Sequence, residues 1–205
     1  MNQKIRNNIK FINDLVVEIR NTLKADRCYI FEFHNGEYFS SRESRWKVSQ
    51  AYESCDEGVS SQGNDFRDVD VSMLWSSFEI FFSHLEDSLP NGISVYKPNA
   101  PYCKDKIVCN PPKRMYIFKV SDIENRFHKS ILEREGVKYM IHTPILNEND
   151  DVIGVIGIDY IDELDFETLQ YNFDFSFCNL CRASDQIAYS WMLQRKKTKK
   201  VKKIK

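Results

Sequence analysis

The order of elements along the chain predicts an α+β fold, an antiparallel sheet with helices packed on its faces. Two patterns carry this prediction. Apolar stripes of helical period lie at both ends of the chain. Between them, short runs alternate apolar and polar residues and break at turn residues.

The first element is a helix. Ile5, Ile9, Ile12, Val16, Ile19 and Leu23 form one seam at alternating spacings of four and three. The seam suits a helix laid on a sheet and equally a helix paired across a dimer, and at under three heptads it is too short for a coiled coil alone. A strand follows from Arg27 to His34, with Tyr29, Phe31 and Phe33 on one side, and Asn35-Gly36 ends it with turn chemistry. A second strand, Arg45 to Glu53, puts Trp46, Val48 and Tyr52 on one face. Residues 54–70 are polar and read as loop, and Met73, Leu74, Phe78, Phe81, Phe82 and Leu85 mark an amphipathic helix.

Pro90-Asn91-Gly92 predicts a turn, and Ile93 to Tyr96 a short strand. Residues 97–113 hold four of the six prolines, a density that excludes a central strand. Met115 to Val120 returns as a strand, and a short helix from Phe127 to Arg134 stops at Gly136. Lys138 to Leu146 and Val152 to Ile161 are apolar runs joined by five polar residues, a hairpin. Leu164, Leu169, Phe173, Phe177, Leu180, Ile187 and Trp191 then trace a last helix with acids at its start and a basic tail at its end.

Composition narrows the function classes. Of the 205 residues 42% are hydrophobic and 13% aromatic, enough for a sizeable core and too many for a disordered chain. No apolar run is long enough to span a membrane, and no signal peptide is visible, so a soluble, cytoplasmic protein is expected. Residues 195–205 carry eight Lys or Arg and no acid, which leaves 21 basic against 30 acidic residues in the rest. The expected organisation is one domain over residues 1–194 and a basic tail over 195–205, open to an acidic partner. An acidic body does not attract nucleic acid over its whole surface.

The junction Leu23-Lys24-Ala25-Asp26-Arg27-Cys28-Tyr29-Ile30-Phe31 resembles the helix-to-strand entrance of the GAF domain family. The segment Gly136-Val137-Lys138-Tyr139-Met140-Ile141-His142-Thr143-Pro144-Ile145, followed by Val152-Ile153-Gly154-Val155-Ile156-Gly157-Ile158, resembles that family's closing hairpin. The resemblance spans residues 1–195. It implies terminal helices on one sheet face and shorter helices and loops over a pocket on the other. It also implies a small-molecule sensor, with cyclic or other nucleotides as first ligands, and dimerisation through the terminal helices.

On that frame Tyr29, Phe31 and Phe33 are expected under the terminal helices, with Glu32, His34 and Asn35 at the pocket. Tyr52 and His142 are expected there too, with Asp159 brought close because the last strand of such sheets lies beside the first. Polar groups in such a place either bind a ligand or satisfy one another. A homodimer is expected from Ile5, Ile9, Ile12, Val16, Leu180, Ile187 and Trp191. The reason is that a last helix of about 30 residues, roughly 45 Å long, overhangs a domain of this size.

Catalytic signatures are absent: the chain has no His-Glu-x-x-His, Gly-rich phosphate loop, nucleophile elbow or zinc-deaminase motif. Cys103, Cys109, Cys178 and Cys181 are the thiols with metal-like spacing, although Cys181 belongs to an apolar stripe. Free methionine sulfoxide reductases, a GAF-type enzyme class, use thiols beside the pocket. Cys103 and Cys109 sit in a suitable loop, but that class's Gly-Val-Cys-Gly and Ala-Cys-Asp segments are missing. The leading expectation is a non-enzymatic ligand-binding or regulatory domain, needing no cofactor beyond a nucleotide-type ligand. The alternative is a structural or assembly protein that keeps the fold without a ligand.

Overall fold

The computed structural model describes residues 3–38, 44–74, 78, 80–81, 93–96, 115–163 and 179–192. Helix α1 (Gln3–Leu23) leads into strand β1 (Arg27–Tyr38). Then come β2 (Ser44–Cys55), β3 (Val69–Asp70), β4 (Ile93–Tyr96) and β5 (Met115–Lys119). Helix α2 (Arg126–Arg134) precedes the hairpin of β6 (Tyr139–Leu146) and β7 (Val152–Tyr160), and residues 179–192 form the C-terminal helix. The seven strands make one sheet in the order β3-β2-β1-β7-β6-β5-β4, antiparallel at every neighbour. The α+β expectation is met, and β1 and β7 are neighbours, with Arg27 opposite Asp159.

Local chemistry explains the boundaries. α1 stops because Lys24 turns to φ +49°, which lets Ala25 N–H donate to Arg20 O at 3.0 Å and Lys24 N–H to Asn21 O at 3.4 Å. α2 is capped by Asn125, whose side chain accepts from the His128 N–H at 3.0 Å. It ends at Gly136 with φ +73°, where Val137 N–H reaches Leu132 O and Gly136 N–H reaches Glu133 O. The β6–β7 turn folds around Asn147, whose Oδ1 accepts from Asn149 N–H at 2.8 Å and Asp151 N–H at 3.0 Å. Between β3 and β4 the expected helix begins differently: Val71–Leu74 is a 3-10 turn, and Phe78, Ile80 and Phe81 are helical. Phe82, Leu85, Pro90 and residues 97–113 lie outside the described residues, as do residues 164–178, where the last helix is expected to begin.

The two sheet faces carry separate cores. On one face Ile12, Leu15, Val16, Ile19 and Leu23 of α1 pack with Leu180, Ile187 and Trp191 over Cys28, Ile30, Ile156 and Ile158. On the other, Tyr29, Phe31, Phe33 and Val48 pack with Phe66, Leu74 and Phe78. The face expected for Tyr29, Phe31 and Phe33 is therefore inverted. Alternation separates the two sets correctly, but the aliphatic set is the one that receives the helix ridges.

The expected dimer interface also changes. Ile12, Val16, Leu180, Ile187 and Trp191 are buried in the chain's own core, and Ile9 is half-buried. Ile5 is placed by its backbone alone. Trp191 needs no second copy to cover it, because Gly154 leaves its place on β7 open. A Cβ at Gly154 would sit 3.0 Å from the indole and 2.4 Å from Phe31 O. Removing the indole leaves a hole against the sheet, so Trp191→Ala is expected to lower unfolding free energy by roughly 3–5 kcal/mol in urea denaturation. Val17→Asp, on the exposed side of α1, should change it by no more than about 0.5 kcal/mol.

Candidate functional site

The face opposite the terminal helices holds five of the buried polar side chains among the described residues: Arg27, Gln62, His128, His142 and Asp159. Tyr29, His142 and Asp159 come from β1, β6 and β7 and are 2%, 1% and 0% exposed, so they meet out of reach of water. The Tyr29 hydroxyl donates to Asp159 Oδ1 at 2.7 Å and lies 2.8 Å from His142 Nε2. Gly157 makes this approach possible: a Cβ there would come within 2.4 Å of the Tyr29 ring and 2.7 Å of the His142 ring.

Arg27, also buried, extends the cluster. Its Nε donates to Ser60 O at 2.8 Å, and one terminal nitrogen lies 3.6 Å from a Glu135 carboxylate oxygen. The other lies 3.9 Å from Asp159 Oδ2, an attraction through charge without a hydrogen bond. Burial pushes the Asp159 carboxyl up to about 7 against the opposing pull of Tyr29 and Arg27, and Glu53 and Asp26 push the same way as burial. Burial depresses His142 to about 3 and His128 to about 4, so both rings are neutral near pH 7.

A loop closes over this face. Glu53 Oε1 accepts from Gln62 N–H at 2.8 Å, Ser61 donates to the same carboxylate, and Phe66 O accepts from Gln50 N–H at 2.8 Å. These bonds set Gln62 and Phe66 inward. The result is a cavity of about 10 Å³ lined by Tyr29, Phe31, Phe66, Phe78 and Met140 together with Gln62, His128 and His142. That is room for one water-sized group. Gln62 Nε2 and His142 Nδ1 are buried and have no hydrogen-bond partner among the described residues. Two larger hollows lie elsewhere, about 190 Å³ around Lys119, Lys138 and Glu163 and about 160 Å³ between α1 and the C-terminal helix. Neither lining includes a buried polar atom without a partner, so the small cavity is the better candidate.

The residues expected at the pocket separate into two groups. His142 and Asp159 come together through Tyr29. Tyr52 packs on the terminal-helix core, where burial and the nearby Glu32 raise its pKa, so Glu32 and Tyr52 belong to the other face. His34 is at the surface beside Ser49 at 3.0 Å and Asp68 at 3.9 Å, and Asn35 is placed by its backbone alone, opposite Trp46. An inverted starting face accounts for Glu32, and the shift in the β1–β2 register between Ile30 and Phe31 sets Tyr52 on the face opposite Val48. Arg27, Tyr29, Gln62 and His128 were not expected. His128 had a signal, since it shares an apolar helix stripe with Ile131 and Leu132. Gln62 had none, sitting in a polar loop with no period. Among the described residues no group of three or more His, Cys, Asp or Glu could hold a metal. Cys181 is wholly buried in the helix-face core, and Cys103, Cys109 and Cys178 lie outside the described residues.

The GAF domain model matches residues 8–174. The chain belongs to the GAF domain family. Among solved structures the GAF domain region of a Geobacter sulfurreducens PCA protein is 12% identical, with 93% of this chain and 96% of that one covered and a TM-score of 0.51. A far-red cyanobacteriochrome photoreceptor is 10% identical over 89% of this chain and 85% of its own, at a TM-score of 0.50. The phycoerythrobilin-bound GAF domain of a cyanobacterial phytochrome is 16% identical over 90% and 88%, at 0.47. Identities this low speak for the fold alone. No curated protein sequence matches the chain.

The buried GAF cluster gives stability a definite pH dependence. From about pH 4 to 6.5 His128 and His142 stay neutral in the folded chain but charge once unfolded near 6.5, so their contribution is lost as pH falls. Asp159 acts in the opposite sense, holding its proton up to about 7 when folded but only to 3.8 when unfolded, so its contribution is lost as pH rises. The two histidines outweigh the one carboxyl by one proton, worth about 1.4 kcal/mol per pH unit. Unfolding free energy is expected to rise by that amount per unit between pH 4.5 and 6. Asp159→Asn should double the slope, and urea titrations at three pH values would read both.

Proposed function

We propose that this GAF domain is a non-enzymatic regulatory module that binds a small ligand on the sheet face opposite its terminal helices. The cavity between Gln62, His128 and His142 is that pocket in contracted form. One observation carries the reading: Gln62 and His142, each with a buried polar atom that has no partner among the described residues, line the same enclosed space. Leaving each unpaired costs about 1–3 kcal/mol, which a ligand's polar atoms would recover. A bilin or a whole nucleotide does not fit the cavity of about 10 Å³, and the cavity lining has no Lys or Arg to hold a phosphate. Such a ligand requires the loop bearing Gln62 and Phe66 to swing outward, so a neutral, compact molecule suits the site better. A cytoplasmic setting, with Cys28 and Cys55 as reduced thiols, goes with this reading.

A second reading has its own support. Phe31, Phe66 and Phe78 fill the pocket face with edge-on ring contacts of 5.5 Å, which favours an assembly domain that keeps the fold without a ligand. Any homodimer would then use the outward side of the terminal helices, where Phe11, Val17 and Tyr189 are exposed, and the basic tail would take an acidic partner.

Thermal-shift screening against nucleobases, cyclic nucleotides and small neutral amides separates the two. A ligand at a hundred times its Kd adds about 2.7 kcal/mol, or roughly 5–10 °C for a chain of this size. Gln62→Ala should abolish that shift. No shift with any member, and no bound molecule in native mass spectra of protein from its source, would favour assembly.

A further inference from the structure

Tyr29 stands between a carboxyl and an imidazole, and its hydroxyl has one proton to give. When Asp159 is ionised, Tyr29 donates to Oδ1 at 2.7 Å. The contact of 2.8 Å to His142 Nε2 then requires that nitrogen to carry the proton, which leaves Nδ1 bare on a ring that lines the cavity. When Asp159 is protonated, its hydroxyl donates to Tyr29, Tyr29 donates to Nε2, and the imidazole proton resides on Nδ1.

We propose that Arg27, Asp159, Tyr29 and His142 form a proton relay that sets which hydrogen-bonding partner the cavity accepts. With Asp159 ionised, the site takes a ligand that donates to Nδ1 and accepts from Gln62 Nε2, an amide-like edge. With Asp159 protonated, both groups donate, and the site takes a ligand with two acceptors. The interconversion balances: a proton arrives at Nδ1, the Nε2 proton passes to the Tyr29 oxygen, and the Tyr29 proton passes to Asp159. His142 thereby changes tautomer without becoming a cation in either end state.

The surroundings fix where the change falls. Arg27 favours the ionised carboxylate, whereas burial, Glu53 and Asp26 favour the protonated one, and the balance lies at about 7. Glu135 draws on Arg27 from the end of α2, 3.6 Å away, and so weakens its hold on Asp159. His128, the other ring lining the cavity, stays neutral down to about 4, as does His142 down to about 3. Neither titrates in the same range.

The ligand preference rests on the pocket reading above, but the tautomer switch is measurable without any ligand. Histidine labelled with 15N in the full chain reports ring tautomers by long-range proton–nitrogen correlation between pH 5.5 and 8.5, with His142 assigned by comparison with His142→Gln. Wild-type His142 is expected to pass from Nδ1–H to Nε2–H as pH rises through about 7. Tyr29→Phe should remove the transition, while His34 and His128 keep their own behaviour. One unchanging tautomer in the wild type overturns the relay, as does a ring that becomes fully protonated or a transition that survives in Tyr29→Phe. If Tyr29→Phe does not fold, the wild-type titration alone decides. A ligand screen without hits removes the pocket reading and leaves the switch standing, whereas a fixed tautomer beside a screen with hits removes only the relay.

Discussion

A carboxylate withdrawn from water costs several kcal/mol unless neighbours replace its hydration, and Asp159 is completely buried. Much of the architecture is arranged around it. The register of β1 and β7 sets Arg27 opposite, and Tyr29 two residues on supplies a hydroxyl. Arg27 is itself buried and needs acceptors, which Ser60 O and Glu135 provide. One guanidinium thus ties the loop after β2 and the end of α2 to the first strand. The backbone joins the same junction, since Asp26 N–H donates to Asp159 O and the Asp26 carboxylate accepts from Ile161 N–H.

That junction also explains how the two faces stay distinct. The helix-covered face uses aliphatic residues of β1 and β7, whose short side chains let α1 and the C-terminal helix lie close. The opposite face uses rings, and rings leave irregular space between them. Two glycines of β7 serve the two faces separately, Gly154 under Trp191 and Gly157 under Tyr29 and His142. A strand with a side chain at either position could not hold both layers at this distance.

Period and turn chemistry made most of the fold legible. β4 matches its expected span, the hairpin strands differ from theirs by a residue at one end, and α2 begins one residue early. Which face the helices cover was not legible, because β1 is apolar on both sides and alternation alone has no sign. Glu32 was misplaced for the same reason, whereas Tyr52, expected on one face with Val48, parts from it because the β1–β2 register shifts between Ile30 and Phe31 and breaks the alternation. His142 and Asp159 were legible as polar residues inside apolar runs. Arg27 and Tyr29 were not, since a strand-opening Arg and a strand Tyr have ordinary surface and core roles. The dimer stripe was misread because an apolar helix face looks the same whether a sheet or a second copy covers it.

Packing alone does not explain the pocket face. Phe31, Phe66, Phe78, Leu74, Leu132 and Met140 surround the cavity, and an apolar side chain at Gln62 or His142 would complete their contacts. An unpaired buried polar atom costs about 1–3 kcal/mol, whereas an apolar group of similar volume there costs no desolvation. Asp159 accounts for half of the His142 ring, because Tyr29 can satisfy the carboxyl while holding Nε2. Nothing in the carboxyl's surroundings accounts for the other half, Nδ1, or for the Gln62 amide. Both residues line the cavity, which is where the proposed ligand would meet them.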